Sequence, residues 1–366
     1  MLERRLYSLI DWWLLAAIVA VSAIGMMMIY STTYDETSQL VSNKLMTQGY
    51  ALVVGLIAFS FFMFLDYRVI ANNSWVFYLA VIVALALVLM IGDVVGGSRR
   101  WLWFGPVNVQ PSEFAKIALT ILLAGYFAER SLRGVTFINL AFVGLVTVIP
   151  FMLIVREPDL GSAAGLLPVA FAITYIAGLR FRVLALLVML ALLTTPVAWT
   201  YALEDYQRSR LLTFLDPAQD AQGAGYQQIQ AKITVGSGGL TGKGFLQGTQ
   251  GQYKFLPVAH NDFIFSILAE EHGFLGVIVV LGLYLFVILR GLEAARSTKD
   301  RLGAYLVVGV ISSFTFQVVY NITMSAGLLP VKGLTLPLMS YGGSSLVATL
   351  AGFGLIANVR MRRFTN

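Results

Sequence analysis

Residues 74–92 read SWVFYLAVIVALALVLMIG, a run of nineteen residues without a charge, and this run decides the class of fold. An α-helix of about 20 predominantly apolar residues spans the hydrocarbon core of a bilayer. Comparable runs recur along the chain and predict spans at 11–31, 47–65, 74–92, 113–128, 136–155, 160–178, 183–203, 263–289, 303–326 and 341–359. We therefore expect an all-α polytopic integral membrane protein with about ten transmembrane helices, in which residues 1–366 form a single transmembrane domain.

The composition excludes several other classes of protein. Of the 366 residues, 58% are hydrophobic and only 12% are charged, whereas a soluble domain carries about 25% charged residues. There are no cysteines and two histidines, which excludes disulfides and thiolate metal sites and argues against a histidine-rich metal site. The net charge of +6 could suggest nucleic acid, but the basic residues lie in short loops between apolar runs. That arrangement is typical of the positive-inside rule instead.

The distribution of the basic residues predicts the orientation in the membrane. With a cytoplasmic N-terminus, fourteen Lys and Arg residues fall in cytoplasmic segments and five in short outer loops. Five more fall in one long outer loop, and long loops count little in this rule. Both termini are therefore predicted to be cytoplasmic. The apolar run after Arg4 and Arg5 continues to Met28, too long for a cleaved signal peptide, so it is interpreted as an uncleaved anchor.

The segment from about 204 to 262 is predicted to be a long extracytoplasmic loop between the seventh and eighth spans. Its aromatic and aliphatic residues need a packing surface, so its composition is not that of a disordered segment. Residues 225–233 alternate loosely between apolar and polar and favour a short helix on the membrane surface. Five glycines within 236–244 form a turn, and such a turn can also bring backbone N–H groups close to a phosphate.

Asp262 is the strongest candidate for a functional residue. It lies where the long loop enters the eighth span and is followed at once by Phe263-Ile264-Phe265. An ionisable group at the mouth of a span is costly unless it is used or paired. Aspartate also favours helix N-termini, so a helix cap and a catalytic base both remain open.

Further charged residues are expected at a similar depth. Glu113 and Lys116 are spaced to face one side of the fourth span, where they form either a structural ion pair or a phosphate-binding site. Arg99-Arg100, just upstream of this span, suit the same phosphate-binding purpose or are solvated loop charges. Asp159 and Glu157 in the turn before the sixth span add carboxylates. The Pro- and Gly-rich segment 328–345 breaks a helix at membrane depth, which is tolerated only beside protein or a wet cavity. We therefore expect these groups to converge on one cavity at the outer leaflet.

The motifs resemble those of the SEDS family (shape, elongation, division and sporulation). The matching segments are Arg99-Arg100-Trp101, Gln110 to Lys116, Glu157-Pro158-Asp159-Leu160-Gly161, Gly236 to Leu240, Phe255-Leu256-Pro257, Asp262 to Phe265 with Glu270-Glu271, and Pro337 to Gly343. Gly248-Thr249-Gln250-Gly251-Gln252 is more similar to the RodA type than to FtsW. The segment 258–261 departs from the family, which usually has a charged residue and a threonine near the histidine.

The resemblance implies a peptidoglycan glycosyltransferase that acts on lipid II outside the bacterial cytoplasmic membrane. It also implies a class B penicillin-binding protein as partner, with MreC and MreD, a dependence on Mg²⁺ or Mn²⁺, and no organic cofactor. On this hypothesis Asp262 is the general base and Glu113 orients Lys116 toward the pyrophosphate. The other candidates for substrate binding are Arg208, Arg210, Lys332, Arg99, Asp159 and Ser340, with Asp159 or Asp262 as a possible metal ligand.

Two alternatives remain open at this point. A lipid II flippase would also need many spans and a polar cavity, although transporters tend to bind substrate near the midplane between paired repeats. A scaffold that only anchors the penicillin-binding protein would give no function to Asp262 and the basic residues.

Overall fold

A computed structural model describes residues 10–35, 40–41, 43–95, 98–104, 107–130, 134–201, 205–220, 223–253 and 255–362. Its helices are α1 (Trp12–Thr33), α2 (Asn43–Phe64), α3 (Tyr67–Asn72), α4 (Ser74–Ile91), α5 (Pro111–Ala128), α6 (Phe137–Arg156), α7 (Leu160–Ala164), α8 (Leu166–Ile176), α9 (Phe181–Tyr201), α10 (Asp205–Leu215), α11 (Ala224–Ser237), α12 (Thr249–Gln252), α13 (Ile264–Ser297), α14 (Arg301–Ser325) and α15 (Gly343–Met361). Of the basic residues used for the orientation, Arg4, Arg5, Arg133, Lys254 and Arg363 lie outside the described residues.

Short strands connect some of the helices. Strands β1 (Tyr34–Asp35) and β2 (Leu40–Val41) form an antiparallel pair between α1 and α2. Strands β3 (Asp93–Val95), β4 (Ser98–Phe104) and β5 (Val107–Val109) form an antiparallel sheet in the order β3-β4-β5 between α4 and α5. We call the end of the bundle that carries this sheet and Asp262 the outer end, and the end that carries Asp11 and Arg360 the inner end.

The prediction of a multi-span helical protein is confirmed. Within the described residues, seven helices are long and apolar enough to cross a membrane, namely α1, α2, α4, α6, α13, α14 and α15. Each of the ten predicted spans coincides with a helix, except that 160–178 is divided into α7 and α8 on either side of Gly165. The number of ten transmembrane helices stays a prediction.

The middle of the bundle is formed by α5, α14 and α15, whose side chains are largely buried. Helix α14 packs against α5, α8, α13 and α15, and α15 packs along α2. The α2–α15 contact is so close that a Cβ atom at Gly354 would overlap the carbonyl oxygen of Phe59. These central helices therefore provide a rigid frame for the loops at the outer end.

The segment between α9 and α13 contains helices α10, α11 and α12 and a 3₁₀ turn at Pro217–Gln219. The predicted short helix is present as the longer α11, and the glycine-rich run follows it as a turn. The backbone N–H groups of Lys243 and Gly244 donate to the carbonyl oxygens of Glu270 and Glu271, each over 3.0 Å. These two amides are therefore engaged by α13, which is interrupted at Gly273 (φ +64°).

Candidate functional site

The outer end holds a cavity of about 180 Å³, which we call the outer cavity. It lies between strand β4, the turn that joins α6 to α7, helix α10 and the irregular segment before α15. Its lining residues are Arg100, Pro158, Asp159, Leu160, Gly161, Arg210, Leu211, Pro330, Lys332 and Gly333. The Pro- and Gly-rich segment thus borders a cavity, in keeping with the expectation for irregular backbone at membrane depth.

Asp262 adjoins this cavity in a turn, in which its N–H donates to the carbonyl oxygen of Val258 over 3.3 Å. The N-cap of α13 is Phe263, and no side chain caps this helix, so the interpretation of Asp262 as a helix cap is wrong. A Cβ atom on Gly333 would lie 3.6 Å from Asp262 Oδ2 and 3.8 Å from Arg100 Nη1. The carboxylate and the guanidinium therefore face the same small space beside Gly333.

The surroundings of Asp262 adjust its acidity. Burial raises the pKa of Asp262 to about 7, Arg100 and Arg210 oppose this shift, and Asp159 adds to it. The Asp262 carboxylate accepts no hydrogen bond from the described residues, and the side chain is half-buried. A carboxylate with a pKa near neutrality and unoccupied acceptor positions is suited to accept a proton.

Three of the described lining residues are cationic. Arg100 is held by the backbone, because its guanidinium donates to the carbonyl oxygens of Glu157 (3.2 Å) and Pro158. Arg210 is exposed on α10, and Lys332 is half-buried. Burial lowers the pKa of Lys332, and the positive charge of Arg210 lowers it further. Such a cluster of positive charge can bind a diphosphate.

Two buried carboxylates lie in the turn between α6 and α7, and of these Asp159 lines the outer cavity. Asp159 is buried and caps α7 by accepting from Ser162 N (3.1 Å), and its other oxygen accepts from Gln110 Nε2 (3.0 Å). Glu157 is fully buried, and neither of its carboxylate oxygens has a hydrogen-bond partner in the described part of the chain. Burial raises the pKa of Glu157 to about 9, with Asp159 as a further cause, so Glu157 is protonated at neutral pH.

Glu113 and Lys116 lie elsewhere. Their side chains form a buried ion pair of 2.8 Å, and both line a separate cavity of about 30 Å³ between α5, α14 and α15. The ion pair that the spacing allowed is therefore present. Neither residue is among those that line the outer cavity.

Ser340, Arg208 and Arg99 are also not among the residues that line the outer cavity. Ser340 is buried, and its hydroxyl accepts from Leu336 N (2.9 Å) within a turn. Arg208 donates to the carbonyl oxygen of Thr200 over 3.0 Å. Arg99 is exposed on β4. Of the predicted site residues, the structure thus brings together Asp262, Arg210, Lys332 and Asp159. It does not bring Ser340, Arg208 or Arg99 into the lining of the outer cavity.

The sequence singled out the pair Arg99-Arg100, and Arg99 was chosen for substrate binding, whereas it is Arg100 that lines the outer cavity. Successive side chains of a strand point to opposite faces, so only one arginine of the pair can face the cavity. A predicted strand at 98–104 would have shown that Arg99 and Arg100 point to opposite faces. It would not have shown which of the two faces is turned toward the cavity. Gly333 was missed as well, because a glycine carries no side-chain chemistry to identify it.

The described residues contain no group of three or more His, Asp or Glu side chains that could hold a metal ion. Mg²⁺ is nevertheless often held by one or two carboxylates together with substrate phosphates. Asp262 fits that mode because its carboxylate is accessible, whereas both oxygens of Asp159 already accept hydrogen bonds.

Comparison with known proteins places the whole bundle in a family. Residues 11–364 match the model of the cell cycle protein family FtsW/RodA/SpoVE. The peptidoglycan glycosyltransferase MrdB of Escherichia coli K12 is 39% identical over 293 residues, which cover 80% of this chain and 79% of MrdB.

Two solved structures are similar over nearly the full length. One chain, from work on structural coordination of polymerization and crosslinking by a peptidoglycan synthase complex, has a TM-score of 0.84 at 34% identity. The match covers 98% of this chain and 99% of that one. The rod shape determining protein RodA of Thermus thermophilus has a TM-score of 0.73 at 31% identity, covering 98% of each chain. This chain belongs to the FtsW/RodA/SpoVE family of cell cycle proteins.

Proposed function

We propose that this chain is a peptidoglycan glycosyltransferase that polymerises lipid II into glycan strands for cell elongation and rod shape. The observation that carries the proposal is the position of Asp262, an accessible carboxylate with a raised pKa beside the cations of the outer cavity. The name of the relative MrdB, a peptidoglycan glycosyltransferase, supports the same activity.

The proposed reaction is a single in-line displacement. The 4-hydroxyl oxygen of one lipid II sugar bonds to the anomeric carbon of the growing strand, and the bond from that carbon to undecaprenyl pyrophosphate breaks. An α-linked donor that gives a β-1,4 product requires inversion, which one displacement provides. Asp262 takes the hydroxyl proton, and general base catalysis of this kind contributes about 10²–10⁴-fold to the rate.

The leaving pyrophosphate gains negative charge as the bond breaks. Arg100, Arg210 and Lys332 would stabilise that charge from fixed positions around the cavity. We propose that Asp159 or Asp262, together with substrate phosphate, would hold Mg²⁺ or Mn²⁺. Bound there, the cation would neutralise further charge on the pyrophosphate.

The buried pair of Glu113 and Lys116 supports the proposed orienting role of Glu113, since the two side chains are in direct contact. Whether Lys116 reaches the pyrophosphate stays a prediction, as do the assignments of Arg99, Arg208 and Ser340 to substrate binding.

We further propose that the chain lies in the bacterial cytoplasmic membrane with both termini inside and the outer cavity outside. The partner that we propose is a class B penicillin-binding protein, in a complex that contains MreC and MreD. The similarity to a chain of a complex that couples polymerization to crosslinking supports such a partner.

The test is polymer synthesis by the purified protein. We expect lipid II and Mn²⁺ to yield a ladder of glycan strands with the wild type and none with Asp262→Ala, in a preparation free of other polymerases. If neither protein makes a ladder, even with the penicillin-binding partner added, the proposed activity is wrong. The flippase hypothesis, which the names of the relatives do not support, would then be tested by translocation of lipid II.

A further inference from the structure

Asp262 belongs to a turn, so something outside helix α13 must fix its position. The buried side chain of Asn321 on α14 contacts the backbone of this turn. The Nδ2 atom of Asn321 donates to the carbonyl oxygen of Asp262 over 2.9 Å and to that of Leu334 over 2.7 Å. One amide nitrogen therefore binds two chain segments that are far apart in the sequence.

The two segments carry neighbouring groups of the reaction site. The first bears the carboxylate of Asp262, and the second bears Lys332 and Gly333, which line the outer cavity. Asn321 lies on α14, which packs against α5, α8, α11, α13 and α15. A rigid helix thus sets the distance between the proposed base and the wall of the cavity.

We propose that Asn321 is a positioning residue that holds Asp262 in register with the segment at Lys332–Gly333. This inference rests on the proposed glycosyltransferase function, and it adds a residue that acts through Asp262 without touching the substrate. Replacing the amide by a side chain of similar size without donors, as in Asn321→Leu, releases both carbonyl oxygens. A displacement of the base by about 1 Å would lower kcat by about 10²-fold.

The chain offers a matched control at the other end of the bundle. Asn358 on α15 is also fully buried, and its Nδ2 also donates to two backbone carbonyl oxygens, those of Phe62 (2.8 Å) and Leu65. The Oδ1 atoms of both asparagines have no partner among the described residues. Asn358→Leu therefore removes the same chemical interaction at the inner end.

The experiment compares kcat and KM for lipid II polymerisation and the thermal midpoint of the wild type, Asn321→Leu and Asn358→Leu. We expect both variants to lose thermal stability to a similar extent. Only Asn321→Leu should lose kcat per folded molecule, by about 10²-fold, with KM changed less than threefold. Asn321→Gln, which keeps the donor, should recover part of kcat.

A third comparison shows whether Asn321 acts through Asp262. With Asp262→Asn as background, adding Asn321→Leu should not lower the residual rate further, because residues that act as a unit are not additive. Equal kcat for Asn321→Leu and Asn358→Leu would overturn the inference while leaving the proposed function intact. Failure of the wild type to polymerise lipid II would instead overturn the proposed function.

Discussion

Replacing Gly333 with alanine would place a methyl group beside both the proposed base, Asp262, and the guanidinium of Arg100. The new Cβ atom would lie 3.6 Å from Asp262 Oδ2 and 3.8 Å from Arg100 Nη1, which is ordinary van der Waals contact. No protein atom has to move, and the backbone of Gly333 does not have the positive φ that would strain an alanine. We therefore expect the free energy of unfolding to change by no more than about 0.5 kcal/mol.

The same methyl group would obstruct the substrate. The methyl group has roughly the volume of a water molecule, about 30 Å³, and it would stand at Gly333 in the lining of the outer cavity. The attacking hydroxyl must lie about 2.6–3.2 Å from the carboxylate oxygen, and a carbon in contact with that oxygen closes this approach. A displacement of about 1 Å lowers the rate by about 10²-fold, or about 2.7 kcal/mol in activation free energy.

The assay is kcat/KM for lipid II polymerisation by purified protein, with the thermal midpoint measured on the same preparations. Gly144→Ala on α6 is the control, because a Cβ atom there meets nothing within 4 Å. We expect a loss with Gly333→Ala only. A kcat/KM for Gly333→Ala within twofold of the wild type would refute the placement of the attacking hydroxyl beside Gly333.

Three further predictions follow from the charges at and behind this site. Because the pKa of Asp262 is raised to about 7 and a general base must be ionised, kcat/KM should fall about tenfold per pH unit below pH 7. A pH profile that stays flat there would argue against Asp262 as the general base. The pKa of Glu157 is raised from 4.5 to about 9, so the folded state binds the carboxyl proton more tightly than the unfolded state does. The free energy of unfolding should therefore fall as the pH rises from about 4.5 to about 9. Glu157→Gln should flatten this dependence of the thermal midpoint on pH. Lys116→Met or Glu113→Gln alone leaves a buried charge unpaired and should lower the free energy of unfolding by about 3–5 kcal/mol. The double variant should recover most of that loss. Additive losses would contradict the ion pair between Glu113 and Lys116.

The sequence predicted the spans well because the property that defines them is local. Most of the apolar runs are long enough by themselves to form a helix across lipid, and the predicted spans coincide with helices, except that 160–178 is divided into α7 and α8. Asp262 could be singled out for the same reason, since a carboxylate at the mouth of an apolar run is conspicuous without any knowledge of its neighbours.

The partners of Asp262 could not be predicted in the same way. Arg100 and Arg99 are adjacent in the sequence, and the choice between them depends on which face of β4 is inward. Glu113 and Lys116 carry suitable charges, but the rotation of α5 directs them into a separate cavity. Asn321 is one polar residue among many in α14, and its bonds join segments that only the folded chain brings together.

The sequence by itself therefore determined the class of fold, the resemblance to the family and the identity of the candidate base, because hydrophobic length and an isolated charge are properties of short segments. The tertiary structure alone decided which cations face Asp262, that Asp262 does not cap α13, and that Asn321 holds it. These are relations between side chains on different helices and loops, and helix rotation and strand facing are set by packing over the whole bundle.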